Sequence, residues 1–239
     1  KWLLAGGAAL IAAWLLLKSA FAHTASENQG HSNAEYDKLF EESGVLREKT
    51  WQEFLDTSLA LGNCPPLRGD NVVIITNGGG AGLLAADHFE RLGMPLKELK
   101  DISPDLRENI RNYMPAFGSP LNPVDISGTA TSDMYGGALK TAYRDEHVDG
   151  ILISVCPTAV TDVEAITETV INIHRQYKNL GKPFIMECQG GNECREAIMK
   201  LRDKGIPAYS TPEQAVNAMV ALRRYSHIMN KKEKLIKNI

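Results

Sequence analysis

Cysteine is scarce. The chain has four in 239 residues (Cys64, Cys156, Cys188, Cys194), none in a CxxC pair and the nearest two six apart. That spacing excludes a zinc-ribbon ligand set, and the length argues against a disulfide-stapled miniprotein. Four reduced thiols in a cytosol-like compartment are therefore expected. Charge of one sign is also lacking: 26 Lys and Arg against 29 Asp and Glu leave −3. The last twelve residues carry four Lys and one Glu, so the body is about −6 and offers no broad nucleic-acid footprint. The basic end reads as a solvated terminus. Internal repeats and low-complexity tracts are absent. What is present, 44% apolar and 23% charged residues, suits a globular core in one or two domains.

Long hydrophobic runs are limited to one. Residues 2–17 (WLLAGGAALIAAWLLL) are uncharged between Lys1 and Lys18. About twenty such residues span a bilayer, so this run is short for an anchor. Ala20-Phe21-Ala22 resembles a signal cleavage site. A segment belonging to a larger domain is the third reading. The expected location is cytoplasmic, or membrane-associated if 2–17 is an anchor.

Beyond Lys18 the pattern alternates. Ser32-x-x-Glu35 and Thr50-x-x-Glu53 are capping boxes, the first followed by Tyr36, Leu39 and Phe40, the second by Trp51, Phe54, Leu55 and Leu59. Residues 64–70 (CPPLRGD) read as a linker. Then come an apolar strand at 71–76, a helix at 81–92, and a helix opened by Ser103-Pro104 and carrying Leu106, Ile110, Tyr113 and Met114. A strand at 150–155 follows, with a helix capped by Thr161-x-x-Glu164. A strand at 183–187, a helix at 193–204, a short strand at 206–209 and a helix from Thr211-Pro212 complete the pattern. Buried strands alternating with helices predict an α/β fold, a doubly wound, flavodoxin-like parallel sheet.

Ligands of such sheets bind beyond the carboxyl ends of the strands. Three loops fall there: Asn77-Gly78-Gly79-Gly80, residues 156–161 and Gln189-Gly190-Gly191-Asn192. Glycines before helix N-termini present N–H groups and a positive dipole end, which suit phosphate or carboxylate; the bland alternative is tight turns. Gly80-Ala81-Gly82-Leu83-Leu84-Ala85 also satisfies a dinucleotide fingerprint, with Glu98 or Asp101 as its acidic partner beside a weak strand at 95–99.

Taken together, the segment 71–82, Asn122-Pro123-Val124-Asp125-Ile126-Ser127-Gly128 and Thr211-Pro212-Glu213-Gln214-Ala215 resemble the NDP-forming acyl-CoA synthetases, the superfamily that includes succinyl-CoA synthetase. Upstream, Ala22-His23-Thr24-Ala25, Tyr36-Asp37-x-x-Phe40 and Ser43-Gly44-Val45 resemble the segment that carries the family's phosphorylated histidine. The resemblance covers residues 19–225. It divides the chain into the end of a phosphohistidine domain (1–63), a linker (64–70), a ligase-type flavodoxin domain (71–227) and a basic tail (228–239).

The resemblance implies an acid–thiol ligase that interconverts acyl-CoA, NDP and phosphate with carboxylate, CoA and NTP through a phosphohistidine. His23 would accept the phosphoryl group, a neutral imidazole nitrogen being nucleophilic near pH 7. His31 is the competitor; His88, His147, His174 and His227 read as solvent-facing or satisfied. The family stabilises the phosphorylated ring at helix N-termini, and the matching element here is the helix following residues 157–161; Thr158, Ala159 and Thr161 would meet phosphate or the acyl carboxylate, with Gly128, Thr129 and the loop Asn77, Gly78, Gly79, Gly80 beside them. Asp162 would repel a phosphate unless it turns away, and Asp125 would tie down its own turn. No metal ligands and no tightly bound cofactor are expected; CoA, ADP or ATP, and Mg would be handled as substrates on other modules. Those partners, a CoA-binding and an ATP-grasp module, would lie on the same longer polypeptide or on a second subunit. An oligomer is expected and no nucleic acid. The family's run before the histidine is more polar than 2–17, which leaves open a non-catalytic, membrane-tethered scaffold, and the fingerprint leaves open a dinucleotide- or flavin-binding domain.

Overall fold

Strands that are apolar on both sides need cover on both faces, and the computed structural model, which describes residues 32–237, supplies it. The described residues form two compact units, 32–48 with 228–237 and 49–227. In the first, helix α1 (Asn33–Ser43) opens on the expected box: Glu35 Oε2 accepts from Ser32 N at 2.6 Å and Ser32 Oγ from Glu35 N at 3.3 Å. Arg47 folds back on α1, donating to Asn33 O at 3.0 Å and Asp37 Oδ1 at 2.8 Å.

In the second unit, helix α2 (Trp51–Asn63) carries a full capping box, with Glu53 N donating to Thr50 Oγ1 at 3.1 Å and Thr50 N to Glu53 Oε2 at 3.0 Å. Its buried face is Asp56, Thr57 and Ala60, whereas Trp51 and Leu55, two of the apolar residues after the box, point outward. Asp56 is held on that face by hydrogen bonds: Gln52 and Gln214 donate to its carboxylate, and its carbonyl accepts from the Tyr209 hydroxyl at 2.7 Å, although burial still raises its carboxyl above the ordinary range. Residues 64–70 are built into this unit, for Leu67 is fully buried and its N–H donates to Leu222 O at 3.3 Å.

The sheet comprises β1 (Val72–Thr76), β2 (Ser119–Pro120), β3 (Val124–Asp125), β4 (Gly150–Val155), β5 (Phe184–Cys188) and β6 (Ala208–Tyr209), ordered β2-β3-β1-β4-β5-β6. All neighbours are parallel except β2, an antiparallel edge that the reading of a wholly parallel sheet missed; two residues are too few to show a period. The remaining helices are α3 (Gly79–Arg91), α4 (Leu99–Ile102), α5 (Leu106–Arg111), α6 (Ser132–Arg144), α7 (Val163–Tyr177), α8 (Asn192–Asp203) and α9 (Pro212–Lys237). Side chains alternate across each strand. Val73, Ile75, Ile151, Ile153, Phe184 and Met186 face α5–α8, and Val72, Ile74, Leu152 and Ile185 face α2, α3 and α9. The α/β doubly wound fold is as expected.

Four local expectations need correction. Residues 95–99 form no strand; Leu99 opens α4, and Glu98 is ion-paired to Lys100 at 3.1 Å. The helix after Pro104 begins at Leu106 and ends before Tyr113 and Met114. Asp162, not Thr161, caps α7, its Oδ1 accepting from Ala165 N at 2.9 Å. Cys188 and Cys194 are joined as a disulfide, leaving Cys64 and Cys156 free, so the four-thiol expectation fails. The reason is geometric: one sits at the end of β5, the other in the first turn of α8, and the two-glycine turn brings their Cα atoms to 5.3 Å. Among the described residues no helix is long and apolar enough to cross a membrane; residues 2–17 lie outside them.

Candidate functional site

The strand order reverses at β1, with β3 on one side and β4 on the other. In a sheet of this kind the crevice lies at the carboxyl ends of the strands flanking that point. Three loops meet there, and Asn77, buried at the end of β1, stitches two of them together. Its amide donates to Cys156 O at 2.9 Å and accepts from Cys156 N at 2.8 Å, and it also reaches Thr161 Oγ1 at 3.3 Å.

Thr158 joins the third loop. Its hydroxyl donates to Gly128 O at 2.9 Å and lies 2.8 Å from Thr161 Oγ1, which in turn accepts from Thr158 N at 3.0 Å. With the Thr158 proton used on Gly128, Thr161 must donate to Thr158. The chain Gly128–Thr158–Thr161–Asn77 is therefore fully ordered in direction.

Close approach requires the glycines. A Cβ on Gly78 would meet Cys156 Sγ at 2.6 Å, and one on Gly79 would meet Asp125 Oδ2 at 2.7 Å; on Gly80 it would meet nothing within 4 Å. Gly79 and Gly80 belong to the first turn of α3, so the helix begins two residues earlier than its apolar pattern suggests. The first helical bond is Gly82 N to Gly78 O at 3.2 Å, with no side chain capping the turn. The N–H groups before it stand at the positive end of the dipole. Asp125 does tie down its own turn, its Oδ1 accepting from Ser127 N at 2.8 Å, with Ser127 held at φ 78°.

The predicted residues thus fall into one place: Asn77, Gly78, Gly79, Gly80, Gly128, Thr129, Thr158, Ala159 and Thr161 all surround this mouth. Thr129 is exposed there, its N–H on Ser127 Oγ at 3.3 Å. His23 and His31 lie outside the described residues. His88 bonds Asn217 Oδ1 at 2.8 Å, His174 bonds the Tyr143 hydroxyl at 2.8 Å and His147 lies 3.5 Å from Asp145, all side roles as expected. The mouth has an acidic flank: a hollow of about 480 Å³ between α7 and α8 is lined by Asp162, Glu164, Glu193 and Glu196.

One residue beneath the mouth gave no signal in the sequence. Glu187 on β5 is fully buried beside Ser154 of β4, and neither its carboxylate oxygens nor the Ser154 hydroxyl has a hydrogen-bond partner. Burial pushes Glu187 up to about 7, the neighbouring Ser154 opposing and Glu213 assisting. Cys156 is raised too, first by burial and then by Glu187, so it rests as a thiol rather than a nucleophilic thiolate. Among the described residues no group of three His, Cys, Asp or Glu could hold a metal.

The Ligase-CoA domain matches residues 72–231. Acetate--CoA ligase [ADP-forming] I subunit alpha of Pyrococcus furiosus is 42% identical over 215 residues, 87% of this chain and 44% of that protein. Acetate--CoA ligase [ADP-forming] I of Archaeoglobus fulgidus is 32% identical over 90% of this chain and 29% of its own length. The structure of Ca. Korarchaeum cryptofilum dinucleotide forming acetyl-coenzyme A synthetase 1 in complex with phosphate and ADP superposes with a TM-score of 0.81 at 33% identity, covering 91% of this chain and 46% of that one. The chain therefore spans less than half the length of these relatives.

Proposed function

The chain belongs to the Ligase-CoA domain family, and on that premise we propose that it is the part of an ADP-forming acid–thiol ligase that ends the phosphohistidine domain and supplies the ligase domain. The observation that carries this reading is the convergence of the Gly78–Gly80 turn, the Gly128 loop and the Thr158–Thr161 loop on one crevice, clamped by Asn77. Uncapped N–H groups at the start of α3 suit a phosphoryl group carried on an imidazole, because they offer donors at the positive end of the helix dipole.

In this reading His23 delivers the phosphoryl group to the α3 side of the mouth. Asn77, Thr158 and Thr161 hold the loops in register, and the acidic wall at Glu193 and Glu196 steers the anion away from α8. Acetate is the acid and ADP the nucleotide that the relatives' names favour. CoA-binding and ATP-grasp modules act as partners, as the relatives' greater length and subunit naming suggest.

Labelling tests it. The 239-residue chain is incubated with the completing modules and γ-labelled ATP. Acid-labile, base-stable label that is lost in His23→Ala and kept in His31→Ala is the expected result; equal labelling of all three proteins overturns the assignment. A dinucleotide site is disfavoured because Glu98 is committed to Lys100 and no second strand follows α3 before β2.

A further inference from the structure

The sheet beneath the start of α3 carries a polar row. Thr76 of β1, Ser154 of β4, Glu187 of β5 and Tyr209 of β6 are register partners. Their side chains therefore share one face of the sheet, the face that α2, α3 and α9 cover. All four residues are buried. Two are satisfied: Thr76 Oγ1 accepts from Gly78 N at 3.0 Å, and the Tyr209 hydroxyl donates to Asp56 O. Two are not, for neither carboxylate oxygen of Glu187 has a hydrogen-bond partner and neither has the Ser154 hydroxyl. A buried carboxylate left without a partner is costly, and such a group takes a proton instead.

The titratable groups around Glu187 are Glu213 at the start of α9, Cys156 after β4 and Tyr209 of β6, with Tyr135 of α6 and Asp56 of α2 beyond. None is a cation, and the first turn of α3 brings no acidic residue. Cys156 joins the row to the mouth: a Cβ on Gly78 would meet its Sγ at 2.6 Å, and the same thiol feels Glu187. Burial carries Cys156, Tyr135 and Tyr209 upward, away from neutrality, whereas it brings Glu187 to neutrality, at about 7.

Two strand spacings separate Glu187 from β1, whose end carries the glycine turn, a distance on the order of 10 Å. Through protein of effective dielectric constant about 20, a dianion at that distance raises a carboxyl by about one to two pKa units. A dianion in the mouth and an ionised Glu187 thus disfavour one another without touching.

We propose that Glu187 is a proton-linked regulator of the mouth: it takes up a proton from solvent when a phosphoryl-like dianion settles at the start of α3, and returns it when the dianion leaves. No bond of the anion changes in this exchange. The proposal rests on the phosphoryl reading of the mouth and adds its pH dependence. With the proton on, the anion meets a neutral row. As pH rises through the neutral range the carboxylate repels it, so affinity falls, then levels off once Glu187 is ionised in both states.

Sulfate is the probe, because it is a dianion throughout the neutral range and any proton taken up belongs to the protein. The 239-residue chain and Glu187→Gln are titrated at constant ionic strength by amide NMR and by calorimetry in two buffers of different ionisation enthalpy. The parent is expected to show shifts at 77–80, net proton uptake near neutrality, and binding about tenfold or more weaker at about pH 9 than at about pH 6. Glu187→Gln should keep the shifts at 77–80 and lose the Glu187 share of both pH effects. A carboxyl carbon titration of Glu187 in the parent reads the coupling without any variant: its midpoint should rise by about one unit or more under saturating sulfate. An unmoved midpoint, or equal pH dependence and proton uptake in the two proteins, overturns the inference and leaves the mouth in place. Absence of sulfate shifts at 77–80 in the parent across the whole pH range removes the anion site itself, so the two failures are told apart.

Discussion

Glu187 is a carboxyl placed in a buried layer between Ser154 and Tyr209. Its ordinary value of 4.5 rises to about 7 on folding, burial being the first cause. Below 4.5 the group is protonated in both states and contributes no pH dependence. Between 4.5 and 7 the folded chain holds a proton that the unfolded chain has released, so stability falls as pH rises through this window. Above 7 the whole penalty, about 3 kcal/mol, is present. Glu187→Gln is therefore expected to melt higher than the parent at pH 8 and to lose that advantage at pH 4.5, measured by circular dichroism at both values. Asn77 shows the converse case of a buried polar group, for its amide oxygen and nitrogen are both partnered. The sequence marks Asn77 through its place after an apolar strand and before glycines. Glu187 carries no such mark, because a partner-free carboxyl is recognised only when the helices over it are in place.

At the scale of elements, the glycines after β1 have different uses. Gly80 is open, which suits a ligand, whereas Gly82 lets α3 lie on β1 and on the turn preceding β3. A Cβ there would meet Pro123 Cβ at 2.9 Å and Thr76 Cγ2 at 3.0 Å. Both atoms belong to stiff side chains, so neither yields cheaply. Gly82→Ala gains about 1 kcal/mol of helix propensity against about 1–3 kcal/mol of overpacking. We expect a net loss of about 1 kcal/mol, read as a lower denaturation midpoint with an unchanged slope. The motif Gly80-Ala81-Gly82 thus reflects helix–strand packing, and its match to a dinucleotide fingerprint is incidental. The position of α8 was legible in the alternation of strands and helices, but the Cys188–Cys194 link that fastens its first turn to β5 was not, since six residues of separation do not state how tightly the turn closes.

For the molecule as a whole, residues 49–227 hold both apolar layers of the sheet. That segment expressed alone is expected to unfold in one cooperative transition with coincident near- and far-ultraviolet dichroism; separate transitions would show that part of its core comes from elsewhere. The alternation of apolar runs and capped helices announced the layers, and the runs at 71–76, 150–155 and 183–187 lie within one residue of β1, β4 and β5 at either end. The two-residue strands β2 and β3 escaped this reading, because their pairing is set by neighbours rather than by any period of their own.

Local pattern alone was enough to determine the α/β class, the loops at the carboxyl ends and the candidate residues around Asn77 and Thr158, since each depends on spacing along the chain and on which residue types tolerate a tight turn. Only the tertiary structure decided the rest: the Asn77 clamp, the buried Glu187 and the acidic flank beside α7. These arise where side chains distant in sequence share a low-dielectric or concave space, and neither burial nor charge balance exists until the chain has closed around them.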